Sequence, residues 1–125
     1  MSTATRQLLI VEDNDGTREI LSDFLGRSGY IVTAAANGQV ALDCLERKTH
    51  LDLILLDMMM PVMDGWRFLE QLAHLNPPPS VPIIITTSGI TTREWALDHG
   101  AAGFVRKPID ADALLSEIRR CLGAA

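Results

Sequence analysis

Short apolar runs of strand length recur along the chain and are separated by stretches with helical periodicity. The runs lie at Leu8–Val11, Ile31–Ala35, Leu53–Leu56, Ile83–Ile85 and Gly103–Val105. Each run is apolar at nearly every position, which is typical of parallel strands that helices cover on both faces of a sheet. The pattern therefore predicts an α/β fold in which five helices sandwich an open five-stranded parallel sheet.

The stretches between the runs carry apolar side chains at helical spacing. Three such stripes are Ile20, Leu21, Phe24 and Leu25; Val40, Ala41, Cys44 and Leu45; and Leu114, Leu115, Ile118 and Leu122. Gly29 and Gly100 are placed to end the first and fourth helices. Asn37-Gly38 is placed to open the second helix and Asp110 to cap the fifth. At this length we expect a single domain over residues 1–125, with its core at about residues 8–122.

Composition and charge exclude several classes of partner. Sixteen acidic and eleven basic residues give a formal net charge of −5. Because no run of Lys or Arg could follow a phosphate backbone, nucleic acid is not expected as a direct partner. The mostly polar start of the chain is followed only by Leu8–Val11, which is too short for a signal peptide or a membrane span. We therefore expect a soluble, cytoplasmic protein, in which Cys44 and Cys121 are reduced core thiols.

Polar residues follow four of the five predicted strands. They are Glu12-Asp13, Asp57, Thr86-Thr87-Ser88 and Lys107-Pro108. Ligands of an open parallel sheet bind beyond the carboxyl ends of its strands, so these side chains are expected to converge. Three close carboxylates repel one another unless a cation compensates, and hard oxygen ligands of this kind suit Mg²⁺. The sequence thus predicts a magnesium site that is flanked by hydroxyls and an ammonium group.

The same residues resemble the receiver domain of response regulators in two-component signalling, and the similarity extends from Leu8 to about Leu122. It is carried by Glu12-Asp13, by the segment from Asp57 through Met60-Pro61 to Asp64-Gly65, by Thr87 and by Lys107-Pro108. The resemblance implies the flavodoxin-like (βα)5 receiver fold. Together with the chain length, it implies a stand-alone receiver of the chemotaxis type.

The resemblance also implies the roles of the acidic residues. Asp57 would be the phospho-acceptor and would take its phosphoryl group from a phosphohistidine on a sensor kinase or a histidine phosphotransferase. Asp13 and Asp57 would bind Mg²⁺ directly and Glu12 would bind it through water. The backbone carbonyl of Met59 would supply a further ligand oxygen.

Two more residues would act on the phosphoryl group. Lys107 would pair first with the free carboxylate and then with the phosphoryl group, and Pro108 would follow a cis peptide bond. Thr87, rather than Thr86 or Ser88, occupies the position of the hydroxyl that bonds a phosphoryl oxygen. The domain would catalyse only its own phosphorylation and slow dephosphorylation, so it is not expected to be an enzyme that acts on substrates.

The phosphorylated state would be read by a downstream protein. Thr87 would move toward the phosphoryl group, and the vacated space would admit Phe104 of the fifth strand. The family's usual output surface is the fourth helix, fifth strand and fifth helix, on a monomer or a phosphorylation-dependent dimer. Trp95 lies in this region and two alternatives stay open for it. Either it is exposed as a partner contact, with Ala96 and Leu97 facing the sheet, or the shortened segment before the helix lets it pack inward.

Other functions fit the residues less well. A receiver that serves only as a phosphorylation-independent adaptor would not need an intact acceptor site. A haloacid-dehalogenase-like phosphohydrolase needs a second Asp where Met59 stands. A flavodoxin-like electron carrier would have its phosphate repelled by Glu12-Asp13. We interpret the methionines at 58, 59, 60 and 63 as packing residues rather than a Cu(I) site, and Trp66 as a partly buried packing residue.

Overall fold

Strands and helices alternate along the whole chain in the computed structural model, which describes residues 5–47, 50–58, 64–75, 80–89 and 92–123. The strands are β1 (Gln7–Val11), β2 (Ile31–Ala35), β3 (Leu53–Asp57), β4 (Ile83–Thr87) and β5 (Gly103–Arg106). The helices are α1 (Asp15–Arg27), α2 (Gly38–Arg47), α3 (Gly65–Ala73), α4 (Arg93–Asp98) and α5 (Ala111–Leu122). All strand pairs are parallel, in the order β2-β1-β3-β4-β5, so the predicted fold class is confirmed. Within the described ranges no helix is long and apolar enough to cross a membrane.

Alternate residues of the central strands point to opposite faces of the sheet and build two apolar cores. Leu8 and Ile10 of β1 pack with α1 and α5 on one face. Leu9 and Val11 pack with α2, α3 and α4 on the other. Two covered faces explain why the strands are apolar at successive positions. The prediction of full coverage was wrong for β2, where Ile31 is 50% exposed, because this strand lies at the edge of the sheet.

The helix boundaries follow the capping residues of the sequence. The Asn37 side chain accepts a hydrogen bond from the Val40 N–H at the start of α2, and Asp110 accepts one from the Ala113 N–H at the start of α5, each at 2.9 Å. Gly29 and Gly100 have φ values of 101° and 92° where α1 and α4 end, a conformation that glycine adopts without strain. These four predicted boundaries are confirmed.

Three apolar residues lie outside the buried stripes that the sequence predicted. Ile20 is 69% exposed on α1, whereas Leu21 and Leu25 of the same stripe are buried. Val40 is 39% exposed on α2, and Leu97 is 45% exposed on α4. All three exposed residues lie on the flank of a helix, where the buried face is narrower than the run of apolar residues.

One carboxylate is buried on the face of the fold that α4, β5 and α5 form together. Glu117 of α5 accepts hydrogen bonds from Arg93 Nη1 at 2.7 Å, from the Phe104 N–H at 2.8 Å and from Arg120 Nε at 3.1 Å. A Cβ atom on Gly103 would lie 2.8 Å from a Glu117 carboxylate oxygen, so a larger residue there would require the Glu117 side chain to shift. Glu117 therefore joins the first residue of α4 to β5 and α5.

Burial by itself would raise the pKa of Glu117, but the hydrogen bonds from Arg120, the Phe104 N–H and Arg93 outweigh it and lower the pKa to about 2. A carboxylate with a lowered folded-state pKa adds stability above its unfolded-state pKa, and this contribution is lost as the pH falls toward the folded value. We expect Glu117→Gln to lower the free energy of unfolding at neutral pH by an amount on the order of 2 kcal/mol.

The difference in free energy of unfolding between wild type and Glu117→Gln should begin to shrink below about pH 5 and keep shrinking as the pH approaches 3. Urea unfolding at several pH values would measure it. Glu19→Gln, an exposed change on α1, is the matched control and should show little difference at any pH. A deficit for Glu117→Gln that stayed constant with pH would contradict the assignment.

Candidate functional site

Three carboxylates lie at the topological switch point of the sheet, between β1 and β3. β1 and β3 are adjacent, and the connections that leave them run to opposite sides, which opens a crevice beyond their carboxyl ends. Glu12 and Asp13 directly follow β1, and Asp57 is the last residue of β3. One carboxylate oxygen from each lies within 4.8 Å of the others. Glu12 is 1% exposed and Asp57 2% exposed, while Asp13 is half-buried.

Lys107 brings an ammonium group to this cluster from the end of β5. Its Nζ lies 2.8 Å from Glu12 Oε1 and 3.3 Å from Asp57 Oδ2. Its backbone N–H donates to the Thr87 carbonyl at 2.9 Å, and the bond between Lys107 and Pro108 is cis, as predicted. Burial alone would lower the pKa of Lys107, but the hydrogen bond to Glu12 and the charges of Asp57 and Glu12 raise it above its ordinary value.

The donor set fits a small divalent cation. Three carboxylates carry up to three negative charges and Lys107 supplies one positive charge. Carboxylate oxygens are the ligands that Mg²⁺ prefers, and the half-buried Asp13 leaves a side of the site open to the waters that this ion retains. Glu12, Asp13 and Asp57 would hold such an ion. Met59, whose carbonyl the resemblance adds to the ligands, lies outside the described residues.

The neighbouring hydroxyls lie at the end of β4. Thr87 is fully buried, and its Oγ1 accepts a hydrogen bond from the Gly89 N–H at 3.0 Å. Thr86 directs its hydroxyl at the Leu56 carbonyl inside the sheet, 3.5 Å away, and Ser88 is exposed. This arrangement agrees with the choice of Thr87 as the hydroxyl beside the acceptor, which stays a prediction.

Gly89 connects the hydroxyl of Thr87 to the predicted switch residue on β5. The Gly89 carbonyl accepts a hydrogen bond from Arg106 Nη1 at 2.6 Å. The Arg106 guanidinium carbon lies 5.3 Å from the centre of the Phe104 ring. Phe104 is 7% exposed and belongs to the core on the α2–α3–α4 face. Its inward position is the one that the predicted switch assigns to the phosphorylated domain.

The family model of the response regulator receiver domain matches residues 8–119. The chain belongs to this family. The receiver resembles the chemotaxis protein CheY4 of Vibrio cholerae with a TM-score of 0.84 and 29% identity, over 94% of this chain and 99% of that one. It also resembles the receiver domain of a sensor histidine kinase of Pseudomonas aeruginosa, with a TM-score of 0.84 and 31% identity, over 97% of this chain and all of that one. That structure has a magnesium ion coordinated in its active-site cleft.

Curated relatives are longer than this receiver. Response regulator Rre1 of Synechocystis is 38% identical over 119 residues, which make up 92% of this chain and 51% of the relative. The transcriptional regulatory protein HprR of Escherichia coli is 34% identical over 113 residues, 90% of this chain and 50% of the relative. The chain thus spans about half the length of these relatives. Receiver domains are signalling modules, and the resemblance on which the sequence analysis rested is confirmed.

Trp95 lies on α4 and packs beside Trp66 of α3. It is half-buried against the core, its ring meets that of Trp66 edge-on with centroids 4.5 Å apart, and it stacks on His99 at 4.0 Å. The structure thus favours the alternative in which Trp95 packs inward. Its role in output stays a prediction. Trp66, at the start of α3, is 52% exposed and its ring contacts those of Trp95 and His99, which agrees with its interpretation as a partly buried packing residue.

Two residues of this receiver contact the site or the output face without having been singled out from the sequence. Arg18 binds the turn that carries Glu12 and Asp13, and Glu117 ties α4 to β5. Both leave a sequence signal. Arg18 places a positive charge in the first turns of α1, against the helix dipole, and Glu117 interrupts the apolar stripe of α5 beside Ile118. Met58, the one methionine of the cluster inside the described residues, is buried.

The crowded carboxylates should oppose folding when no divalent cation is present. Asp57→Asn removes one of three like charges, while Lys107 keeps Glu12 as its partner at 2.8 Å. We therefore expect this variant to be at least as stable as wild type in chelator-treated buffer, by up to about 1 kcal/mol in urea unfolding. Asp43→Asn, an exposed change on α2, is the matched control. A clear loss of stability in Asp57→Asn would contradict the view that this cluster is held at a cost.

Proposed function

We propose that this receiver accepts a phosphoryl group on Asp57 from a phosphohistidine of a sensor kinase or a histidine phosphotransferase, with Mg²⁺ as cofactor. One observation carries the proposal: Asp57 is buried at the end of β3 with Glu12 and Asp13 within 4.8 Å and the Lys107 ammonium 3.3 Å away. The magnesium ion in the cleft of the Pseudomonas relative supports the choice of cofactor.

The proposed reaction is a direct transfer between two side chains. A carboxylate oxygen of Asp57 attacks phosphorus, an O–P bond forms, and the P–N bond to the donor imidazole breaks with its electron pair left on nitrogen. Mg²⁺ supplies the positive charge that reduces repulsion between the carboxylate and the phosphoryl oxygens. Lys107 shifts from the Asp57 carboxylate to a phosphoryl oxygen, and Thr87 donates its hydroxyl to another phosphoryl oxygen.

The transfer changes the receiver itself, so we propose a self-modifying switch rather than an enzyme that turns over external substrates. Asp57 and Lys107 are both present, which a phosphorylation-independent adaptor would not require. A phosphohydrolase of the haloacid dehalogenase type would need an acidic group two residues after the acceptor, where the sequence has Met59.

We propose that the phosphodonor docks beside the acceptor on α1 and on the segment that joins β5 to α5. An apolar groove lies there, and both Lys107 and the exposed Ile20 belong to its lining. The groove is lined by Thr17, Ile20, Leu21, Phe24, Pro108, Ile109 and Leu114. A helix of the donor that carries the phosphohistidine would fill this groove and bring its phosphoryl group to Asp57.

We propose further that this receiver acts in the cytoplasm, as a monomer or a phosphorylation-dependent dimer. Its phosphorylated state would be read by another protein on the α4–β5–α5 surface. The contacts of Gly89 support this route, since Gly89 bonds Thr87 through its N–H and Arg106 through its carbonyl. A shift of Thr87 toward a phosphoryl group would disturb both contacts and alter the packing of Phe104, biasing an existing equilibrium.

The reaction is tested by incubating the protein with acetyl phosphate and following its intact mass. Wild type in Mg²⁺ should gain a single phosphoryl group, and chelation of the metal should prevent the gain because the carboxylates then repel the donor. Asp57→Asn should not be modified, while Asp64→Asn, which alters the half-buried N-cap of α3, should behave as wild type. Full modification of Asp57→Asn would contradict the assignment of the acceptor.

The switch is tested with Phe104→Ala and its conservative partner Phe104→Tyr. Phe104→Ala should still be phosphorylated, but the change in amide chemical shifts of α4 and α5 on phosphorylation should shrink, because the ring that couples β5 to the core is gone. Phe104→Tyr should retain most of the wild-type response. If the response of Phe104→Ala matched that of wild type, Phe104 would not transmit the signal.

A further inference from the structure

A single arginine bonds all three carbonyls at the turn from β1 into α1. Arg18 Nη1 donates to the Glu12 carbonyl at 3.0 Å and to the Asp13 carbonyl at 3.4 Å. The Arg18 backbone N–H donates to the Asn14 carbonyl at 2.9 Å. One residue of α1 therefore bonds every carbonyl of the turn that carries two of the three clustered carboxylates.

The rest of the turn is held at other points. The Glu12 N–H donates to the Ala35 carbonyl at 3.0 Å, and the Asn14 N–H donates to Glu12 Oε2 at 3.1 Å. These bonds fix Glu12 on β2 and close the turn on itself. The carbonyl of Asp13 is bonded by the Arg18 guanidinium, so the guanidinium constrains the peptide plane from which the half-buried Asp13 carboxylate extends.

The guanidinium is itself positioned for this task. Its Nη2 forms an ion pair with Asp15, and the Arg18 side chain is only 22% exposed although Asp15 is 90% exposed. A planar guanidinium can donate in several fixed directions at once, which a lysine ammonium on a flexible stem cannot reproduce. Arg18 can thus bond the two turn carbonyls and Asp15 together.

We infer that Arg18 is a positioning residue for the cation site: it fixes the Glu12–Asp13 turn so that both carboxylates face Asp57. The inference rests on the proposed magnesium site and adds to it the residue that sets the orientation of two ligands. Groups that orient metal ligands without touching the metal commonly change metal affinity by about tenfold or more when removed.

The positive charge of Arg18 and its effect on ligand orientation would change Mg²⁺ affinity in opposite directions. Their contributions can therefore be told apart by substitution. Arg18 carries a positive charge near a cation site, so its removal should tighten Mg²⁺ binding if charge alone mattered. If orientation dominates, removal should weaken binding despite the loss of a repelling charge. Arg18→Lys keeps the charge and loses the planar fork, and Arg18→Ala loses both.

The experiment is a calorimetric titration of the full chain with MgCl₂, together with thermal unfolding with and without MgCl₂. We expect Arg18→Ala to weaken Mg²⁺ binding about tenfold and to lose most of the Mg²⁺-induced rise in melting temperature. The Mg²⁺ affinity of Arg18→Lys should lie between those of Arg18→Ala and wild type. Arg27→Ala is the matched control, because it also removes an arginine of α1 that pairs with an aspartate, Asp23, at 3.0 Å. It should bind Mg²⁺ as wild type does.

Binding by Arg18→Ala that is equal to or tighter than that of wild type would overturn the inference. A melting temperature that falls equally with and without MgCl₂ would overturn it as well, since that result describes a structural role alone. If Arg18→Ala fails to fold, Arg18→Lys decides: weaker binding than wild type supports the inference and equal binding contradicts it. Asp13→Ala distinguishes failure of the proposed metal site from failure of the proposed role of Arg18. If wild type bound Mg²⁺ no better than Asp13→Ala, the metal site itself would be contradicted.

Discussion

The structure depends on one constraint: three carboxylates lie close together, largely shielded from bulk water, at the carboxyl ends of β1 and β3. Glu12 and Asp57 are almost fully buried and Asp13 is half-buried beside them. Burying like charges is unfavourable unless opposite charge or hydrogen bonds compensate, and Lys107 supplies only part of that compensation. The site therefore favours the uptake of positive charge, and the proposed phosphoryl transfer would change the local charge balance again.

A rigid frame is needed to keep such a cluster together. The two apolar cores on either face of β1 and β3 fix the strand ends from which the carboxylates extend. Close packing adds to this beyond β3, where a Cβ atom on Gly65 would lie 2.8 Å from the Met58 Cα, so the start of α3 can approach only with glycine there. The N–H of Gly65 donates to the Met58 carbonyl at 3.2 Å and anchors α3 directly behind the acceptor strand.

The sequence predicted those parts of the fold and site that follow from local patterns. Five apolar runs located the strands, and polar residues at their ends located Glu12, Asp57 and Lys107, because parallel strands bring their carboxyl ends to one edge. The exposure of a residue on a helix flank, such as Ile20, depends on how the helix is rotated about its own axis relative to the sheet. The spacing of apolar residues in the sequence does not define that rotation. The contacts of Arg18 depend on side-chain directions in a turn, so a charge against the helix dipole was its only sequence signal.

Asp57 is the proposed acceptor within this cluster, and the chemistry of an acyl phosphate allows that assignment to be tested at one position. Borohydride reduces an aspartyl phosphate to homoserine, which peptide mass spectrometry locates in the sequence. After treatment with acetyl phosphate and Mg²⁺ and reduction with borohydride, we expect homoserine at position 57 and intact aspartate at positions 13 and 64. Homoserine at either of those positions, or an unmodified Asp57 in protein that has gained a phosphoryl group, would contradict the assignment.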